Sequence, residues 1–303
     1  MTVPHTSRRA SLLLTLMLLV CAPAAAAPAP ALVGYDLFVD GLRLHLVEAG
    51  PRERPTVLLL HGFMTSAATF ADLQQRLAAQ LHVVALDLPG HGQSARPARR
   101  LTSQYLATTV GRAIEQLDLR DVVLVGHSMG AMVALVVADR WPERVRQVVA
   151  VNPAGFAFDP LRRAGMLLLA RPAVWSSGPT LVYEIAAHGS VEHFDDVKRA
   201  DLELQLQLRH DPGWCRAVAS SYRTLATSDL SALARRLTRP VTLVFGARDM
   251  ALPADYRAAV VAALPRSALV EIADCGHDVH HDAPGRLVEV IAAVAALAPG
   301  VDR

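Results

Sequence analysis

The sequence predicts an α/β fold: a mostly parallel central sheet with helices on both faces and a helical cap insertion. Three observations carry the prediction. From about Tyr35 onward, short apolar runs alternate with longer stretches of helical spacing. The runs Thr56–Leu60, His82–Leu86, Val122–Val125 and Val145–Val151 are too continuous in Val and Leu for a sheet wetted on one face. Residues 154–229 then interrupt the alternation with about 75 residues of mostly helical pattern, far too long for a structureless connection.

In chain order, residues 1–27 read as an export signal. Arg8-Arg9 make a basic start, Ser11–Val20 an apolar run, and Ala22–Ala27 a small-residue region with Ala-x-Ala choices. Roughly ten apolar residues are too few to span a bilayer, so a periplasmic or secreted protein without stable membrane insertion is expected. Ser7-Arg8-Arg9 also resembles the start of a twin-arginine signal, with Ser11 where that pattern prefers phenylalanine. Leu18–Cys21 hints at a lipoprotein box, but Val20 is too bulky for the position before the cysteine.

Residues 28–153 make the first part of the core. Tyr35–Val39 and Arg43–Glu48 read as a hairpin around Asp40-Gly41. Helical spacing follows at Thr69–Gln80, Thr102–Leu117 and Met129–Arg140. Within the cap, 154–229, the patterns Pro160–Ala170, Pro179–Ala187 and Val197–Arg209 are helical. The second part of the core, 230–303, holds strands Val241–Phe245 and Ala268–Ile272 around a helix at Ala254–Leu264, then a final helix from Pro284 to about Leu297.

Composition narrows the function. With 52% apolar and 19% charged residues the chain is a folded protein and not a disordered one. The formal net charge is +2, and Arg8 and Arg9 supply both charges in a stretch without acids, so the exported chain is neutral. A neutral surface excludes the electrostatic footprint of nucleic-acid binding. Of three cysteines Cys21 would leave with the signal, and Cys215 and Cys275 either pair or stay as buried thiols.

The chemistry concentrates at Gly126-His127-Ser128-Met129-Gly130, between an apolar strand and a helix. That context makes Gly-x-Ser-x-Gly a nucleophile elbow: a sharp turn that lifts the serine hydroxyl into a cleft. A serine needs a base, and the base needs an orienting group. Of twelve histidines, His277 in Asp274-Cys275-Gly276-His277 lies just beyond a strand, at the sheet edge that carries Ser128. Asp249, likewise just past a strand end, is the acid candidate, with Asp274 and Asp278 as neighbours of the base in sequence. Both adjoin the His277 loop itself, from which Nδ1 is harder to brace. His127 reads as a packing and hydrogen-bonding residue. His280-His281-Asp282 has the composition of a metal cluster, yet three adjacent positions cannot all converge on one ion. That run reads instead as the start of the last helix, with Asp282 near its N-cap. The cap residues His188, His193, His210, Trp175, Tyr183, Trp214 and Tyr222 could touch substrate or simply pack.

These motifs resemble the α/β-hydrolase fold superfamily, over the stretch from about Tyr35 to the C-terminal helix. The matching stretches are Leu60-His61-Gly62-Phe63, the turn from Asp87 to Ser94, the elbow, Gly246-Ala247-Arg248-Asp249 and Cys275-Gly276-His277. The resemblance implies Ser128, Asp249 and His277 as a catalytic triad, and the backbone N–H groups of Phe63 and Met129 as an oxyanion hole. It implies a structural role for Asp87 and His91. A serine hydrolase cleaving a carboxylic ester through an acyl-enzyme is the expected activity, with a small-molecule carbonyl substrate and neither metal nor organic cofactor. Carbon–carbon bond hydrolysis and cofactor-free perhydrolysis would use the same triad. A non-catalytic ligand-binding protein on the same fold is the reading from another class.

Overall fold

A computed structural model describes residues 30–177, 203–204 and 207–296. The export signal, the pattern Pro179–Ala187, most of Val197–Arg209, and Tyr183, His188 and His193 lie outside the described residues.

Eight strands form one mixed, mostly parallel sheet: β1 (Val33–Val39), β2 (Leu42–Ala49), β3 (Thr56–Leu60), β4 (His82–Leu86), β5 (Val122–His127), β6 (Val145–Val151), β7 (Val241–Gly246) and β8 (Ala268–Ile272). Their order is β1-β2-β4-β3-β5-β6-β7-β8. Only the first two pairings, β1 with β2 and β2 with β4, are antiparallel. The remaining pairs are parallel, so β3, β5, β6, β7 and β8 all point their carboxyl ends to one edge. Strand β5 outlasts its apolar run because Gly126 and His127 keep pairing with Ala150 and Val151 of β6.

Continuous apolar strands follow from double coverage. On β3, Leu58 and Leu60 join a cluster with Leu106, Val110, Met132 and Leu135, from α2 (Ser103–Gln116) and α3 (Met129–Arg140). Val57 and Leu59 face the opposite cluster, with Leu73 and Leu77 of α1 (Ala71–Leu77). Each fully buried leucine of this kind stabilises the sheet by about 2 kcal/mol.

The helix expected over Thr69–Gln80 is shorter, beginning as a 3-10 turn over Ala67–Phe70 before α1. Phe70, at φ −98° and ψ 8°, breaks the α geometry between them. After β6 come α4 (Pro160–Leu169), α5 (Pro172–Ser177), α6 (Pro212–Thr227) and α7 (Ser231–Arg236). Among the described residues this stretch holds no strand. Trp175, Trp214 and Val218 bury together with Met64, fastening the cap helices over the sheet edge. The two tryptophans are therefore packing residues. Helices α8 (Ala254–Ala263), α9 (Val279–Asp282) and α10 (Pro284–Ala296) complete the described chain. No helix among the described residues is long and apolar enough to cross a membrane.

Candidate active site

The carboxyl edge of the sheet collects the residues singled out in sequence. Ser128 sits between the end of β5 and the start of α3, at φ 52° and ψ −111°. Positive φ in a non-glycine residue is strained, and strain held by rigid surroundings marks functional turns. What holds it is close packing: a Cβ on Gly130 would stand 2.0 Å from the Leu60 carbonyl oxygen. The chain can turn this sharply only because that side chain is missing. Ser128 N–H donates to the Val151 carbonyl at 2.9 Å, tying the elbow to β6.

Met129 opens α3, so its N–H belongs to the first helical turn, which lacks intrahelical acceptors. Phe63 follows Gly62 just after β3. Gly62 lies against the elbow, since a Cβ there would be 3.5 Å from Ser128 Cβ. The Phe63 ring reaches into the cap, 5.7 Å from Trp175 and 5.3 Å from Tyr222 between ring centres.

Asp249 and His277 meet directly. His277 Nδ1 donates to Asp249 Oδ2 at 2.8 Å. The other carboxylate oxygen accepts the N–H groups of Ala251 at 2.7 Å and Leu252 at 3.0 Å. Burial pushes the Asp249 carboxyl up, but His277 and these two N–H donors outweigh it and hold the group below its ordinary value. Asp249 is thus an ionised, buried acceptor. The rival acids are engaged elsewhere: Asp274 pairs with Arg248, and Asp278 stands 3.7 Å from His127 Nε2.

Two residues that sequence motifs did not assign to the site hold the loop of the candidate base, His277. Asn152, fully buried at the end of β6, donates from Nδ2 to the His277 carbonyl at 2.6 Å and accepts Gly246 N–H at 3.2 Å. His127 Nε2 donates to the same His277 carbonyl at 3.0 Å, joining the elbow to the base loop. Burial, reinforced by the neighbouring His277, lowers the His127 pKa to about 3, so it stays neutral. The sequence signal for Asn152 is slight: one polar residue after a buried run, at the carboxyl edge of the sheet.

Asp282 differs from expectation. It ends the separate short helix α9, and its carboxylate turns back to accept Gly276 N–H at 2.7 Å. The reason is that Ala283 closes α9 and the last helix begins only at Pro284, leaving Asp282 free to brace the base loop. Cys275 and Cys215 are buried free thiols. Burial, with help from Asp282, pushes the Cys275 thiol up to about 12, so it offers no competing thiolate.

The turn after β4 is structural, as expected. Asp87 accepts the N–H groups of Ala67 at 2.6 Å and Gln93 at 2.7 Å. His61, behind it, donates from Nδ1 to the Gly62 carbonyl at 2.8 Å and accepts Leu88 N–H at 3.0 Å.

Relatives extend the picture. An uncharacterised protein of Mycobacterium tuberculosis is 29% identical over 260 residues, covering 78% of this chain and 74% of its own. Human epoxide hydrolase 4 is 28% identical over 230 residues, covering 69% of this chain and 63% of its own. Among solved structures, the enol-lactonase of Burkholderia xenovorans LB400 superposes with a TM-score of 0.74 at 20% identity, covering 87% of this chain and 100% of that one. Residues 55–284 match the alpha/beta hydrolase fold family, to which this chain belongs.

Proposed function

We propose that the protein is a serine hydrolase that cleaves a carboxylic ester through an acyl-enzyme. The observation that carries this reading is a strained elbow serine at the same sheet edge as a buried aspartate hydrogen-bonded to a histidine. In the proposed cycle Ser128 attacks the substrate carbonyl while His277 takes the hydroxyl proton. Asp249 accepts from Nδ1, which leaves Nε2 as the basic nitrogen and stabilises the imidazolium that forms. The N–H groups of Phe63 and Met129 would receive the oxyanion, each donor being worth about 3 kcal/mol of barrier. His277 then returns the proton to the leaving alcohol, and water repeats the sequence on the acyl-enzyme.

The kinship with human epoxide hydrolase 4 does not carry its named chemistry here. Opening an epoxide through an alkyl-enzyme requires a carboxylate nucleophile, and this chain has Ser128 at the elbow. Export to the periplasm or beyond, with removal of residues 1–27, belongs to the same proposal, as does substrate selection by the cap at 154–229.

A fluorophosphonate probe tests the reading. The purified protein should label stoichiometrically, and Ser128→Ala should not label at all. Absence of labelling on folded wild type would overturn the hydrolase assignment in favour of a ligand-binding role.

A further inference from the structure

Behind the base loop the fold assembles a second group of side chains that the proposed hydrolysis does not use. His127 at the end of β5, Asp278 after the base, and His280 in α9 are all buried. One potential ligand atom from each lies within 4.8 Å of the others. The sequence run His280-His281-Asp282 cannot converge on one ion. The fold achieves convergence differently, by bringing His127 across from a strand more than a hundred residues earlier.

We infer that His127, Asp278 and His280 form a binding site for one divalent transition-metal ion of borderline softness, with Zn²⁺ as the best fit. Two imidazoles and one carboxylate make a ligand set that suits zinc, which binds such donors at about 2.0–2.2 Å in a tetrahedron. Ligand atoms around such an ion stand roughly 3.4 Å apart. His127 Nε2 and Asp278 Oδ1 already stand 3.7 Å apart, and since all three ligand atoms lie within 4.8 Å of one another, rotamer shifts of up to about 1.4 Å close the site.

The second layer of contacts agrees with this. Metal-ligating histidines usually donate their other ring N–H to a fixed acceptor. His280 Nε2 lies 2.9 Å from Thr69 Oγ1, so it can donate there and give Nδ1 to the ion. The Thr69 hydroxyl can in turn donate to His281 Nε2 at 2.8 Å. Thr69 thereby sets the orientation of one ligand, while His281 remains outside the ligand set.

Occupation would affect the neighbouring site. His127 Nε2 cannot both ligate the ion and donate to the His277 carbonyl, so ligation removes one of that carbonyl's donors while Asn152 keeps its own hydrogen bond there. Slower hydrolysis in the metal-loaded protein is the expected consequence. The slower hydrolysis rests on the hydrolase reading; metal binding itself does not.

Equilibrium dialysis against Zn²⁺ with elemental analysis tests the site without using activity. Wild type and Ser128→Ala should each bind one Zn²⁺ per chain. Asp278→Asn and His280→Ala should weaken binding at least tenfold, while His281→Ala stays within about threefold. Circular dichroism confirms that each variant is folded. Should His280→Ala fail to fold, the nearly isosteric Asp278→Asn decides the matter. Lack of saturable binding at one ion per chain would overturn the site. So would uptake that survives both ligand substitutions, or a loss in His281→Ala equal to that in His280→Ala. Failure of serine labelling with intact zinc binding would overturn only the hydrolase reading.

Discussion

Asp249 shows how much one residue controls through a single contact. Its carboxylate accepts from His277 Nδ1 at 2.8 Å, and two backbone N–H groups keep it in place. Asparagine matches its shape but presents an amide that can donate, which favours the wrong histidine tautomer. With the proposed triad, Asp249→Asn should therefore fold like wild type and lose roughly 10⁴-fold in kcat. Ester turnover and a thermal melt check both halves. Near-wild-type turnover would mean that another group orients the base. Ser128, Asp249 and His277 were legible in the sequence because each sits in a short motif directly after a strand. Asn152 and the tie made by His127 were not. Both act on the backbone carbonyl of residue 277, more than a hundred positions away, and no local pattern encodes a contact with a distant peptide group.

At the scale of elements, the elbow depends on how closely α3 approaches β3. A Cβ on Gly130 would meet the Leu60 oxygen at 2.0 Å and the His61 oxygen at 2.6 Å, both backbone atoms that cannot yield locally. Gly130→Ala should cost about 3 kcal/mol or more and displace the Met129 N–H from the proposed oxyanion hole. Gly165, inside α4, is the control: nothing lies within 4 Å of its Cβ position. Gly165→Ala should be neutral or stabilising by up to about 1 kcal/mol, through helix propensity. Denaturant midpoints separate the two, and equal effects would refute the packing argument. The central strands β3 to β7 are readable because burial on both faces writes continuous apolar runs, and β1 and β2 because Asp40-Gly41 marks a hairpin between them. Helix α6 has no counterpart among the helices expected from sequence, although Asp211-Pro212 gives a good start signal, with Asp211 accepting Gly213 N–H at 2.7 Å. Its buried face mixes alanine, serine and threonine with few large apolar residues.

For the whole molecule, acid should act on stability. His61 and His91 are buried under the sheet edge, with rings 5.5 Å apart. Burial lowers their pKa values to about 4 and about 3, from an ordinary 6.5. Above pH 6.5 neither the folded nor the unfolded chain protonates them, and stability is complete. Below it the unfolded chain takes up protons that the folded chain refuses, so stability falls with pH, until the folded-state values are reached. Each histidine contributes about 1.4 kcal/mol per pH unit, or roughly 4 kcal/mol for the pair at pH 5. Asp87 works the other way, because burial raises its pKa and the folded state gains protons there. Asp249, held below its ordinary value, adds its own loss only at lower pH. Protonation of the proposed base His277 would also lower activity in acid, so the two effects need separate readouts. Urea midpoints at pH 7.5 and pH 5, for wild type and His91→Gln, report stability alone. Wild type should drop at pH 5, and the variant should lose about half of that drop. Identical pH slopes in the two proteins would mean that His91 does not enter the folded state neutral, and the acid sensitivity would have to come from elsewhere in the fold.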